Sequence, residues 1–270
     1  MQHMILLFDE SGTPSIVTDP RTDFFIGVGV VYDSSHEQVI FSRCKIELGL
    51  EKPKPLKNDR IGKTRAVRIA QVLSELPLSI YVSTVNIADP EYQATLGAYE
   101  VFGNRARENY RGVGRRPIAQ IIHTYVVDHC LYHAITGHFE AGGNDAVLSP
   151  FIDDWSIPQC DVGIYLEQRS ASLQKQIASL RDWYDGRHPI RVAPIRLLSA
   201  DDNRKRFIDV TTSVFSRAYL KTSNPKYDVE PALILKQSGK ALFTDATGFS
   251  IGTMQRMMGE FMENGERRRQ

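Results

Sequence analysis

Two acids close the first apolar run of the chain: Met4-Ile5-Leu6-Leu7-Phe8 stops at Asp9-Glu10, and Ser11-Gly12 follows. A short continuous apolar run bounded by a turn signal suits a central strand covered on both faces. Period-2 alternation then sends Asp9 and Glu10 to opposite faces, so only one of them can join a site on a given face. Gly12 can take a positive φ and turn the chain just past the acids. A carboxylate at the carboxyl end of a central strand stands where open α/β sheets place their ligands. The plain alternative is a strand that simply ends at a polar turn.

Two further acids have comparable placements. Glu167 follows Asp161-Val162-Gly163-Ile164-Tyr165-Leu166, which reads as another core strand, and Asp209 lies in the first turns of a helix predicted over 203–220. Thr212, Ser213 and Ser216 give that helix a strip of small polar residues beside Asp209, with Phe207, Val210 and Val214 on the other side for packing. Carboxylates that converge repel one another unless a cation neutralises them. Mg²⁺ or Mn²⁺ prefers such oxygen sets. Two such ions about 4 Å apart can activate water and stabilise the leaving oxygen in phosphodiester cleavage. Taken alone, Asp209 reads as a solvated helix residue.

Other groups offer different chemistry. His129 and His133 are four apart on a helix predicted over 118–139, with Asp128, His123 and His138 nearby. That spacing puts two imidazoles on one face, as helical zinc sites require, but the Glu of a His-Glu-x-x-His pattern is missing. Ile122 and Val126 share the face, so structural histidines are the plainer reading. Cys44, Cys130 and Cys160 are isolated, and a thiol nucleophile finds no base at readable spacing. Arg105, Arg107, Arg111, Arg115 and Arg116, with Tyr110 among them, read as a solvated loop or as contacts to a nucleic-acid backbone. The helix carrying Met254, Met257, Met258 and Met262 either packs on its own core or offers an adaptable face to a protein partner.

Composition limits the classes. With 33 basic and 32 acidic residues among 270, the formal charge is +1, which excludes a globally basic nucleic-acid coat and leaves room for a local patch. Hydrophobic residues at 42% are enough for a real core. No apolar run approaches a membrane span, no signal core opens the chain, and the cysteines lack paired spacing; these features predict a cytoplasmic protein.

The elements that must position these groups follow a β-β-α-β order, then a long mixed stretch, then β-α-β-α. Strands are predicted over 24–32, 78–85 and 190–198, and helices over 61–76, from Asp89 onward, over 118–139 and over 170–184, the last capped by Ser170 or Ser172. Residues 142–159 read as loop. Asp201 or Asp202 can cap the helix that carries Asp209. Ala232–Lys236 and Ala241–Thr244 read as a hairpin around a Ser-Gly turn, followed by the short methionine helix. The pattern is that of an α/β layered domain.

Asp9-Glu10-Ser11-Gly12 at the end of the first strand resembles the opening signature of the "domain of unknown function 3800" family. The glycine-containing second strand, the Lys57 region before a helix and Phe207-Ile208-Asp209 are similar as well, and the resemblance spans about Met4 to Leu220. Arg206 stands where the family has glutamine, and Glu167 is matched by position, with Asp201 and Asp202 as rivals for the third ligand. The resemblance implies a ribonuclease-H-like mixed sheet flanked by helices, formed by residues 1–220 with a helical insertion at about 89–160. Residues 221–270 would add the C-terminal hairpin and helix. It further implies a divalent-metal-dependent nuclease, in bacterial defence or a mobile element. Asp9, Glu167 and Asp209 would hold Mg²⁺ or Mn²⁺, and Glu10 would orient a ligand or water. Lys57, Arg105, Arg111, Arg115 and Arg116 would contact DNA or RNA phosphates. The rival reading is a non-catalytic adaptor subunit that keeps the fold and binds a protein partner through the Met254–Met262 helix.

Overall fold

A strand with a continuous apolar run from Met4 to Phe8 at the centre of a sheet needs cover on both faces, and two separate cores supply it. The computed structural model describes residues 2–12, 21–46, 61–109, 129–137, 146–153, 162–183, 191–199, 202–252 and 254–256. The first half contains β1 (Gln2–Ser11), β2 (Phe24–Asp33), α1 (Glu37–Cys44), α2 (Lys63–Glu75), β3 (Leu78–Asn86) and α3 (Pro90–Asn109). Residues 129–137 are helical and are labelled α4. The second half contains β4 (Ala146–Ile152), α5 (Val162–Trp183), β5 (Arg191–Val192), β6 (Arg196–Leu197), α6 (Asn203–Ser216), α7 (Glu230–Gln237) and β7 (Ala241–Asp245). Helical residues 247–252 form α8.

The seven strands make one mixed sheet in the order β5-β4-β1-β2-β3-β7, with β6 also on β4. β1, β2 and β3 form an antiparallel meander, while β4 runs parallel to β1, β7 parallel to β3, and β5 and β6 parallel to β4. Alternation along β1 divides the interior. Ile5 and Leu7 pack with Ile40 of α1, Ile69 and Leu73 of α2, Phe207, Val210 and Val214 of α6 and Leu235 of α7. Met4, Leu6 and Phe8 pack on the other face with Leu131, Ala134 and Ile135 of α4 and Leu173 of α5. A third cluster gathers Phe25, Val85, Tyr92, Leu96, Ile251 and Met254. Among the described residues, no helix is long and apolar enough to cross a membrane.

Four sequence expectations change. Asp161–Arg169 is not a strand: from Val162 onward it is the start of the 22-residue helix α5, because a five-residue apolar run cannot by itself tell strand from buried helix. Ser170 is consequently an interior residue of α5 rather than its cap; its hydroxyl donates to the Leu166 carbonyl and accepts from the Ile195 N–H.

Ala232–Lys236 is likewise helical, in α7. Pro231 sits in its first turn, where a missing N–H costs nothing. At its far end the Gly239 N–H bonds the Lys236 carbonyl and the Lys240 N–H bonds the Leu235 carbonyl. These two bonds, with Gly239 at φ +72, form a Schellman stop. The expected hairpin is therefore a helix followed by β7 on the β3 edge.

The stretch read as loop over 142–159 contains β4, beside β1. Pro150 obscured it, since proline argues against a central strand. It is tolerated because β5 pairs with Val147 and Leu148 and β6 with Phe151 and Ile152, so the outer ladder is interrupted at Ser149 and Pro150. Finally, the arginine segment is helical as far as Asn109 in α3, so Arg105 and Arg107 lie on that helix.

The turn after β1 is as expected. Gly12 has φ +98, and a Cβ on it would approach the Phe24 carbonyl oxygen to 2.6 Å. Gly12→Ala should destabilise the protein by about 2 kcal/mol through a strained backbone. Thermal denaturation reads this, and an unchanged melting temperature would contradict the turn geometry.

Candidate metal centre

Two parallel strands carry an aspartate at the same height, near the end of β1 and just past the end of β4. Phe8 pairs with Ile152, so Asp9 and Asp153 are the next residues on adjacent strands β1 and β4. Asp9 continues the Ile5-Leu7 face and therefore points towards α6. α6 begins at Asp202, whose Oδ1 accepts the Arg204 N–H at 2.8 Å. Arg204 anchors this first turn: its guanidinium makes two 2.8 Å bonds to Glu37 and lies 4.7 Å from the Phe151 ring centre. Asp209, two turns on, is brought to the strand ends.

Asp9, Asp153 and Asp209 each present a carboxylate oxygen within 4.8 Å of the others, and they are the group of this kind among the described residues. Asp153 is buried, and Asp9 and Asp209 are half-buried. Lys205 Nζ lies 2.6 Å from Asp153 Oδ1. The strip of small residues on α6 permits this approach. The Ser213 hydroxyl donates to the Asp209 carbonyl and that of Ser216 to the Ser213 carbonyl, so both are occupied within the helix. The Thr212 hydroxyl behaves differently. It is buried, reaches the Asp9 carboxyl, and has no hydrogen-bond partner of regular geometry.

Burial holds the Asp9 carboxyl well above its usual range, and the charges of Glu10 and then Asp209 push it further in that direction. The Glu10 backbone and Thr212 pull it back in part. A carboxylate that is unfavourable when ionised, next to another at ligand distance, fits a cation. The donor set is all oxygen, which suits Mg²⁺ or Mn²⁺. Thr212→Val should weaken Mn²⁺ binding about tenfold by removing a group that orients Asp9. Isothermal titration calorimetry measures this, and unchanged affinity would remove Thr212 from the centre.

The other sequence candidates fall elsewhere. Glu167 is exposed on α5 and takes no part in the group, because its segment is helix instead of a strand ending at the site. Asp153 stands in the third position, and Asp202 is a helix cap. Asp201 lies outside the described residues. Glu10 projects to the α4 face beside Cys130, whose thiol burial pushes up to about 12 with Glu10 adding to the shift. Lys57, Arg111, Arg115 and Arg116 lie outside the described residues, as does Cys160, and nothing is described of the Arg105 side chain. Met254 is buried in its own chain's third core cluster; Met257 to Met262 lie outside the described residues.

His129 and His133 stack on each other with ring centres 6.4 Å apart, and His129 also stacks on Phe249 at 4.4 Å. His133 meets the Thr244 hydroxyl. Burial and then His133 hold His129 below its ordinary value. Among the described residues this pair gathers no third ligand.

The signal for Asp153 was present in the sequence: Ala146-Val147-Leu148-Ser149-Pro150-Phe151-Ile152-Asp153 repeats the pattern of an apolar run ending in a carboxylate seen at Asp9. No protein-family model matches the chain, and no curated protein matches it.

Proposed function

We propose that this chain is a divalent-metal-dependent phosphodiesterase acting on nucleic acid. In this reading Asp9, Asp153 and Asp209 hold Mg²⁺ or Mn²⁺. The observation that carries it is the convergence of three carboxylates from β1, from the end of β4 and from α6 within 4.8 Å. Carboxylates from separate elements meet at the carboxyl ends of parallel strands, where open α/β sheets bind ligands. A bound divalent ion supplies a coordinated water of lowered pKa and stabilises charge on phosphate oxygens. Asp9 and Asp209 keep part of their surface in solvent, so a substrate phosphate can reach the centre. Thr212 orients Asp9, and Lys205 fixes the Asp153 carboxylate.

The mixed sheet, with its β1-β2-β3 meander continued by parallel β4 beside β1, is compatible with a ribonuclease-H-like arrangement. Likeness to the "domain of unknown function 3800" family at Asp9-Glu10-Ser11-Gly12 supports the same reading, as analogy at the level of fold and motif. Substrate contacts are assigned to Lys57 and the arginines of 105–116, and a cytoplasmic location accords with the reading.

The test is a cleavage assay of the purified chain on single- and double-stranded DNA and RNA with Mg²⁺ or Mn²⁺. Cleavage is expected with metal and none with a chelator. Cleavage that survives chelation, or none on any substrate, would contradict the proposal.

A further inference from the structure

Lys205 places a positive charge inside a group of acids that a cation-binding role alone does not call for. It stands four residues before Asp209 on α6, so both project from one side of the helix. Its Nζ is 2.6 Å from Asp153 Oδ1, and the two side chains are only 16% and 7% exposed. Resting on the metal reading above, we propose that the Lys205 ammonium stands in for a second cation, so that the centre takes one divalent ion and not a pair.

Charge balance supports this. Three ionised carboxylates carry three negative charges and Lys205 returns one positive charge. One divalent ion then leaves the group neutral, while a second would leave two uncompensated positive charges beside an ammonium in a partly buried site. Ligand supply points the same way. Lys205 already engages Asp153 Oδ1. With that oxygen given to an ammonium, Asp153 is a weaker bridge between two ions. The Thr212 hydroxyl, on a residue only 2% exposed, is an independent sign that the group is built for a ligand. It reaches Asp9 without a regular partner, and a metal-bound water is the group that would satisfy it. The ammonium would meet a substrate phosphate where a two-ion centre has its other cation.

Mn²⁺ stoichiometry tests the proposal on the full chain, by equilibrium dialysis with electron paramagnetic resonance of the bound ion. Circular dichroism and melting curves establish that each variant is folded. Wild type and Lys205→Arg should bind one Mn²⁺ per chain, and Lys205→Gln should bind two with the spectrum of a coupled pair. Asp9→Asn should bind none in the same concentration range. Two ions in wild type overturn the inference while leaving the metal reading in place. So does a single ion in folded Lys205→Gln. Should that variant fail to fold, Lys205→Met serves in its place. No binding by wild type overturns the metal reading itself.

Discussion

Asp9→Asn is expected to abolish metal-dependent cleavage and, without metal at pH 7 to 8, to raise the melting temperature. Loss of a charge-stabilising group at a reacting centre costs about a thousandfold in rate. The stability gain follows from the raised Asp9 pKa. Above its ordinary value of 3.8, the unfolded chain has lost this proton while the folded chain retains it. The folded state therefore binds more protons in that window, and stability falls as pH rises through it. Asparagine has no proton to lose, so its advantage grows through the window, is largest above the folded pKa, and disappears below 3.8. Mn²⁺ should reverse the order: at a concentration about 100 times the dissociation constant it stabilises wild type by about 2.7 kcal/mol. The variant, lacking a ligand, should gain little. Because Asp9 must be ionised to bind the ion, wild-type affinity should rise with pH across the same window. Melting curves at several pH values, with and without Mn²⁺, measure these effects together. A variant that stays active, or is less stable than wild type at pH 8 without metal, would contradict the account.

Asp153→Asn should abolish cleavage equally but move stability in the opposite direction. Lys205 is 16% exposed and faces the Asp153 carboxylate. Removing that charge takes away the carboxylate that a largely buried ammonium holds at 2.6 Å, at a cost of about 3 kcal/mol. For a chain of this size that is a fall in melting temperature of roughly 10 °C. Adding Lys205→Gln to Asp153→Asn should recover most of the stability and none of the cleavage, since the two residues form one coupled unit. Glu167→Gln, on an exposed position of α5, should change neither property. Chemical denaturation and cleavage assays on the four proteins give the comparison. A stable, active Asp153→Asn would take Asp153 out of the centre.

Part of this arrangement was legible in the residues. β1 and β2 announce themselves as apolar runs, β3 by alternation, and α2 and α6 because one face repeats at helical spacing. Asp9 was readable from its place at a strand end, Asp209 from its strip of small neighbours, and Gly12 and Asp202 from turn and cap chemistry. What stayed hidden depended on contacts distant in sequence. Pro150 disqualifies β4 locally and is accepted only because the outer ladder breaks between β5 and β6. Val162–Leu166 and Ala232–Leu235 are apolar runs too short to declare a period, and each lies within a longer helix. The third carboxylate could not be chosen before β4 was known to lie parallel to β1. Register alone brings Asp153 level with Asp9.

Anomalous diffraction from crystals grown with millimolar Mn²⁺ would show whether the three acids hold an ion. A manganese peak is expected in contact with carboxylate oxygens of Asp9, Asp153 and Asp209. A peak bound instead by His129 and His133, or none between the three acids, would contradict it.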